Sequence, residues 1–165
     1  MLDWLVIGGG IHGTHLAHML VNQYGFSADA VRILDPHKQL LATWTQRTKN
    51  TGMRYLRSPR VHHIDLESNS LERFAQEHSN NSDLWINPYH RPSYALFQQH
   101  CQHVIGTYQL DRLHIQGQAL TLHRIKGAWC VDTANDRLVS QRVLLATGQQ
   151  QRQIPDWAER IIKQN

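Results

Sequence analysis

Apolar and polar positions follow two different periods along this chain. Asp3–Ile7 is a short apolar run that ends in glycines, which predicts a buried strand. From Ile11 to about Tyr24 the spacing becomes helical. At roughly 100° per residue Gly13, Ala17, Leu20, Val21 and Tyr24 share the face that should lie on a sheet. His15 and His18 fall on the other side and are expected in solvent. Val31–Leu34 reads as a second apolar strand. No period holds from Pro36 to about Leu71, which predicts a long irregular excursion; such segments are often functional or cover a ligand. A short helix starts over Ser70–Ala75, and loop signals follow at Asn80–Asp83 and Asn87-Pro88. After Arg91-Pro92, Ser93 is a suitable cap for a helix reaching about Val104, with Leu96, Phe97, His100, Cys101 and Val104 in helical spacing. Beyond Leu110 the period is two. It gives a short strand at Leu113–Ile115, a hairpin of Ala119–Ile125 with Ala128–Thr133 around Lys126-Gly127, and a last apolar strand over Gln141–Ala146.

The junction of the first strand and helix carries the chemistry. Leu5-Val6-Ile7-Gly8-Gly9-Gly10-Ile11-His12-Gly13 is a Gly-x-Gly-x-x-Gly turn between strand and helix, and Asp35 ends the second strand 22 residues after Gly13. This order suits the pyrophosphate and ribose of a dinucleotide. Gly8 permits the tight turn, Gly10 lets backbone approach phosphate, and Gly13 lets the helix pack on the strand. The helix N-terminus turns free N–H groups and a positive dipole end toward the anion. A carboxylate at Asp35 is placed to accept bonds from ribose hydroxyls. The turn could also be a tight strand–helix connection that holds no ligand.

Composition narrows the class. A chain of 165 residues, 41% hydrophobic and 18% charged, suits one folded domain with a proper core. There is no apolar run of the roughly 20 residues that span a bilayer and no signal-peptide pattern at the start, so a cytoplasmic protein without a membrane partner is expected. The two cysteines, Cys101 and Cys130, have no metal or redox spacing and are expected to be buried small hydrophobes. The formal charge is +4, and Pro36–Ile64 contains no acid but holds Lys38, Arg47, Lys49, Arg54, Arg57 and Arg60. That run is either an anion-attracting surface or a solvated loop. Twelve histidines include His62-His63 and the pair His100/His103, but no third ligand stands at metal spacing. They are expected at the surface, with no metal site. Gly-x-Ser-x-Gly is absent, as is an RNA-binding aromatic signature, so nucleic acid is not an expected partner.

The whole order resembles the FAD-binding domain of two-dinucleotide-binding flavoproteins. It is most similar to flavin-dependent lysine/ornithine N-monooxygenases and their FAD/NAD(P)-binding relatives. The residues that carry the resemblance are Gly8–Gly13, Asp35, Trp44, Met53–Pro59, Arg91-Pro92-Ser93 and Leu144-Leu145-Ala146-Thr147-Gly148, with Ile154-Pro155 after them. The resemblance implies an α/β Rossmann-like fold: a parallel sheet with helices and a small antiparallel β-meander. It further implies FAD contacts from Gly8, Gly10, Ile11, His12 and Gly13 at the pyrophosphate, and from Asp35 and Pro36 at the ribose. Ala119 would lie at the adenine, and Thr147 and Gly148 over the cofactor. Trp44, Met53 and Arg54 correspond to the segment that reaches toward the flavin, though each also fits ordinary packing or a solvated role.

The family's acid at strand two is commonly Glu, and Asp35 is shorter. Full-length relatives continue into an NADPH-binding domain and then return to complete the flavin site. The expected organisation is therefore a domain over 1–150 with a tail over 151–165. No catalytic residue is assigned, and a second polypeptide or a homo-oligomer is expected to cover exposed apolar surface. A disulfide reductase is disfavoured because the redox cysteine pair is missing. The remaining alternatives are a non-catalytic nucleotide-binding or interaction module and an NAD-dependent dehydrogenase domain; a carboxylate at Asp35 disfavours NADP in this first site.

Overall fold

A computed structural model describes residues 1–78 and 82–148. The expected loop at Asn80-Asn81 and the tail from Gln149, with Ile154-Pro155, lie outside these residues. The first strand, β1 (Leu2–Ile7), buries Leu5, Val6 and Ile7 and feeds helix α1 (Ile11–His18). One π-type turn over Met19–Gln23 extends α1 before the chain returns as β2 (Val31–Asp35). The excursion contains a helix, α2 (Ala42–Asn50), and is followed by α3 (Ser70–His78). A small two-stranded sheet, β3 (Trp85–Ile86) and β4 (Arg91–Pro92), leads into α4 (Tyr94–Thr107). Ser93 caps α4 by accepting from the Leu96 N–H at 3.3 Å. The remaining strands are β5 (His114–Gln116), β6 (Thr121–Ile125), β7 (Ala128–Asp132) and β8 (Arg137–Leu145).

The six-stranded sheet has the order β5-β2-β1-β8-β7-β6. Strands β5, β2, β1 and the end of β8 run parallel, whereas β6, β7 and the start of β8 form the antiparallel meander. Sheet and meander are thus joined through one long strand. The nine residues of β8 pair first with β7, Cys130 opposite Val139, and then with β1, Val6 opposite Leu144. Parallel strands need covered faces. One side is covered by α1, α3, α4 and the excursion, whose Leu41, Leu56, Ile64, Leu71, Leu96 and Phe97 share a core with Val6 and Ile33. A smaller cluster of Leu5, Ile7, Leu34 and Val131 has Ala119 and Ile115 packed against it.

Several expectations are corrected here. The stretch 36–71 is irregular as expected except for α2, which the pattern did not predict, and it packs as a cover over the sheet. Trp44 of α2 packs on Tyr94 and Phe97, with ring centroids 5.7 Å and 5.1 Å apart. His18 is fully buried, and it is not in solvent. The Ile64 carbonyl accepts from both His15 Nδ1 at 3.0 Å and His18 Nδ1 at 3.3 Å, so the excursion closes over the helix face expected to be wet. Tyr24 leaves the packed face and is exposed, because the π-type turn shifts the helical phase. Nor are His63 and His100 surface residues: both are buried. His63 Nε2 faces the Ser68 carbonyl at 3.1 Å, while His100 Nε2 meets Ser70 Oγ at 2.8 Å, and Ser70 donates to Asp65. Cys101 and Cys130 are buried and free, and burial pushes the Cys101 thiol far up.

These histidines tie stability to pH. Burial holds His18 and His63 below the usual imidazole value, and it lowers His100 to about 4. The folded state keeps the rings neutral, so the unfolded chain binds more protons below about pH 6.5. Stability should therefore fall as the pH drops from about 6.5 toward 4, by about 3 kcal/mol from His100 alone. Urea unfolding midpoints measured across that range should decline, and H100L should flatten part of the slope. A constant midpoint from pH 7 to 5 would contradict the assignment.

Candidate functional site

The parallel strands end together at Ile7, Asp35 and Gln116, with Leu145 opposite Ile7, and the glycine turn closes over this end. Gly8 has φ +112° and donates to the Leu34 carbonyl at 2.8 Å. A Cβ at Gly8 would stand 2.4 Å from the Ala146 carbonyl oxygen, and one at Gly13 would stand 1.8 Å from the Gly8 carbonyl oxygen. Both approaches are to backbone, so only glycine fits. Gly10 is different. Among the described residues a Cβ there would meet nothing within 4 Å, and the backbone is extended at φ −76°. Gly10 caps α1 and supplies no side-chain hydrogen bond to its first turn. The turn therefore offers open space beside helix N–H groups that lack a side-chain partner, which fits a phosphate.

Asp35 is held inward. Its Oδ2 accepts from the Gly9 N–H at 2.7 Å, and its Oδ1 accepts from the His37 N–H at 2.9 Å and faces His37 Nδ1 at 2.9 Å. The Asp35 side chain is 12% exposed and that of His37 43%. Around it, Leu41 donates to the Gly9 carbonyl at 2.7 Å, Gly117 donates to the Asp35 carbonyl at 2.9 Å, and Gln116 Nε2 donates to the Pro36 carbonyl at 3.3 Å. His37 had no sequence signal beyond its adjacency to the acid.

The structure brings most of the expected site residues to one place. Gly8, Gly10, Ile11, His12 and Gly13 form the turn and the start of α1, with His12 exposed. Pro36 lies beside Asp35. Ala119, at the entry to the meander, packs against the cluster of Leu5, Ile7, Leu34 and Val131. Ala146 donates to the Ile7 carbonyl at 2.8 Å, and this sets Thr147 and Gly148, both exposed, next to Gly8. The flavin-side candidates are arranged otherwise. Trp44 and Met53 are half-buried against the main core. Arg54 is 76% exposed and pairs with Asp83 at 3.4 Å. Arg60 of the basic run pairs with Glu72. A separate cleft of about 500 Å³ is lined by Lys38, Leu40, Gln102, Gly106, Asp111 and His114, and it includes none of the turn glycines. Among the described residues no group of three or more His, Cys, Asp or Glu is arranged to hold a metal. None of their helices is long and apolar enough to cross a membrane.

A family model described as FAD-NAD(P)-binding matches residues 5–150. No curated protein matches the sequence. Among solved structures, the chain is similar to the bacillithiol disulfide reductase of Staphylococcus aureus, with 16% identity, a TM-score of 0.56, and 89% of this chain and 38% of that one covered. A cyclohexanone monooxygenase variant from Rhodococcus sp. Phi1 bound to NADP+ gives 21%, 0.55, 89% and 26% for the same quantities. FAD-bound OTEMO gives 17%, 0.53, 88% and 25%. At these identities the likeness establishes the Rossmann-like fold, and the chain spans only about a quarter to two fifths of each structure.

The three glycines should separate in a substitution experiment. G13A should lower stability by on the order of 3 kcal/mol or more, because backbone cannot yield at 1.8 Å. G10A should melt within a few degrees of the wild type and still weaken dinucleotide binding at least about tenfold, read by equilibrium titration. Equal melting losses in both variants would remove the distinction.

Proposed function

Because the chain belongs to the FAD-NAD(P)-binding family, we propose that it is the FAD-binding domain of a flavin-dependent oxidoreductase or monooxygenase-like protein. The observation that carries this reading is the open space at Gly10 inside a turn whose neighbours Gly8 and Gly13 have no room at all. A strand–helix turn without a ligand needs the second property and not the first. The choice of FAD over NAD rests on the element after β5. A dehydrogenase domain continues with alternating helix and strand, whereas this chain continues with the β6–β8 meander. Ala119, at the meander entry, takes the adenine end, Gly8–Gly13 the pyrophosphate, and Thr147 and Gly148 cover it. Bound flavin supplies the redox chemistry, and the chain contributes binding and orientation.

On this reading the domain is not a complete enzyme. Hydride supply from NADPH and the substrate site belong to a second body, either a further domain or another polypeptide. Two features support its position near β8. Among the described residues, Arg142–Leu145 pair with β1 on one side and with no strand on the other. Leu145, on the same strand, is 66% exposed. The proposed compartment is the cytoplasm, in keeping with two buried free cysteines.

The test is a visible spectrum after incubation with FAD and desalting, with NAD and NADP compared by thermal shift. A retained flavin spectrum with protection by FAD supports the proposal. Protection by NAD alone, without retained flavin, would replace it with the dehydrogenase reading.

A further inference from the structure

Asp35 stands where a carboxylate would meet the adenosine ribose, yet its oxygens are engaged within the protein. Oδ2 takes the Gly9 N–H and Oδ1 takes both the backbone N–H and the ring Nδ1 of His37, all at 2.7–2.9 Å, and only 12% of the side chain is exposed. One methylene shorter than Glu, Asp35 reaches back to the glycine turn. The His37 ring is oriented by this contact and by Thr43 Oγ1, 3.4 Å from the same Nδ1. With Nδ1–H donated to Asp35, Nε2 is the ring nitrogen left for a ligand. That ring is 43% exposed.

We infer that His37, and not Asp35, is the residue that meets the ribose diol of the adenosine end of FAD, with Nε2 accepting a hydroxyl proton. Asp35 acts as a positioning residue: it fixes the Gly9 N–H and the tautomer and orientation of His37. The inference rests on the FAD reading given above. It places a second, exposed group between the family's acid position and the ligand, an arrangement that second-shell carboxylates give to histidines elsewhere.

The site fits such a contact on its own evidence. Gly117 donates to the Asp35 carbonyl and Gln116 to the Pro36 carbonyl, so the backbone leading from Asp35 to His37 is pinned to the end of β5 and the residue after it. His37 is then presented from a fixed segment and not from a free loop. Lys38 follows it, so no carboxylate besides the capped Asp35 lies within residues 35–40.

The experiment compares the dissociation constants of FAD and of its 2′,3′-dideoxyadenosine analogue, by quenching of flavin fluorescence, in the wild type, H37A and D35N. The wild type should bind FAD about tenfold more tightly than the analogue, the value of one net hydrogen bond. In H37A that ratio should fall to about one, with analogue affinity unchanged. D35N should lower the melting temperature as well, because Gly9 and His37 lose a charged acceptor. A ratio retained in H37A but lost in D35N would overturn the inference and return the ribose contact to Asp35. Failure of all proteins to bind either flavin would overturn the FAD reading itself, and this inference with it.

Discussion

The close approach of backbone to backbone at Gly8, Gly13 and Ala146 is the constraint on which the structure depends. The Gly8 N–H reaches β2 at Leu34, its α-carbon faces the Ala146 carbonyl after β8, and its own carbonyl oxygen lies against Gly13 of α1. Three strands and one helix are therefore fixed through a single residue. The packing has a direct electrostatic result. With α1 drawn this close to the strand ends, its first N–H groups open onto the space at Gly10, and no side chain caps them. Glycine is an acceptable N-cap, only a few tenths of a kcal/mol poorer than Ser, Thr, Asp or Asn, and it leaves the first N–H groups without a side-chain acceptor. Here the donors are left for something else.

A second layer secures the other side of α1. The Ile64 carbonyl sits between His15 and His18, and Ser70 links Asp65 to His100. Although burial alone would raise the Asp65 carboxyl, the Ser70 hydroxyl, the Leu66 N–H and nearby histidines hold it below its ordinary value. The rings are not fully satisfied: among the described residues His18 Nε2, His63 Nδ1 and His100 Nδ1 are buried without a hydrogen-bond partner. Buried polar atoms without partners cost stability. Each ring is thus held through one nitrogen and by packing at the other, and this makes the cover over α1 the acid-sensitive part of the fold.

What could be read from sequence was local. The glycine turn, the acid at Asp35, the Ser93 cap and the Lys126-Gly127 hairpin each have a turn chemistry that neighbours alone decide, and each stands where the pattern placed it. Helix α2 was not legible, since Ala42–Asn50 contains three threonines and a weak apolar stripe, and it starts from Leu41 in the left-handed region with no side-chain cap. His18 was misread for a different reason. A periodicity argument sees one helix and one sheet, and the partner that buries His18, Ile64, is 46 residues away. The position of Asp35 was legible, but the direction of its carboxylate was not, because that depends on where the Gly9 and His37 N–H groups point.

This division bears on what the domain can do by itself. The backbone around the glycine turn is fixed by contacts from separate elements: Gly9 through Asp35 and Leu41, Asp35 through Gly117, and Ala146 through Ile7. The candidates for the flavin end are not arranged around an opening in the same way. Trp44 and Met53 contribute to the main core, and Arg54 is occupied with Asp83 at the surface. On the FAD reading proposed above, binding energy is concentrated at the non-reacting end of the cofactor, where it sets affinity and orientation without acting on the ring. On the proposed reading, groups that tune the ring have to come from the body that meets β8 and Leu145. The domain would then hold FAD before any partner engages, and chemistry would begin only when the ring end is closed.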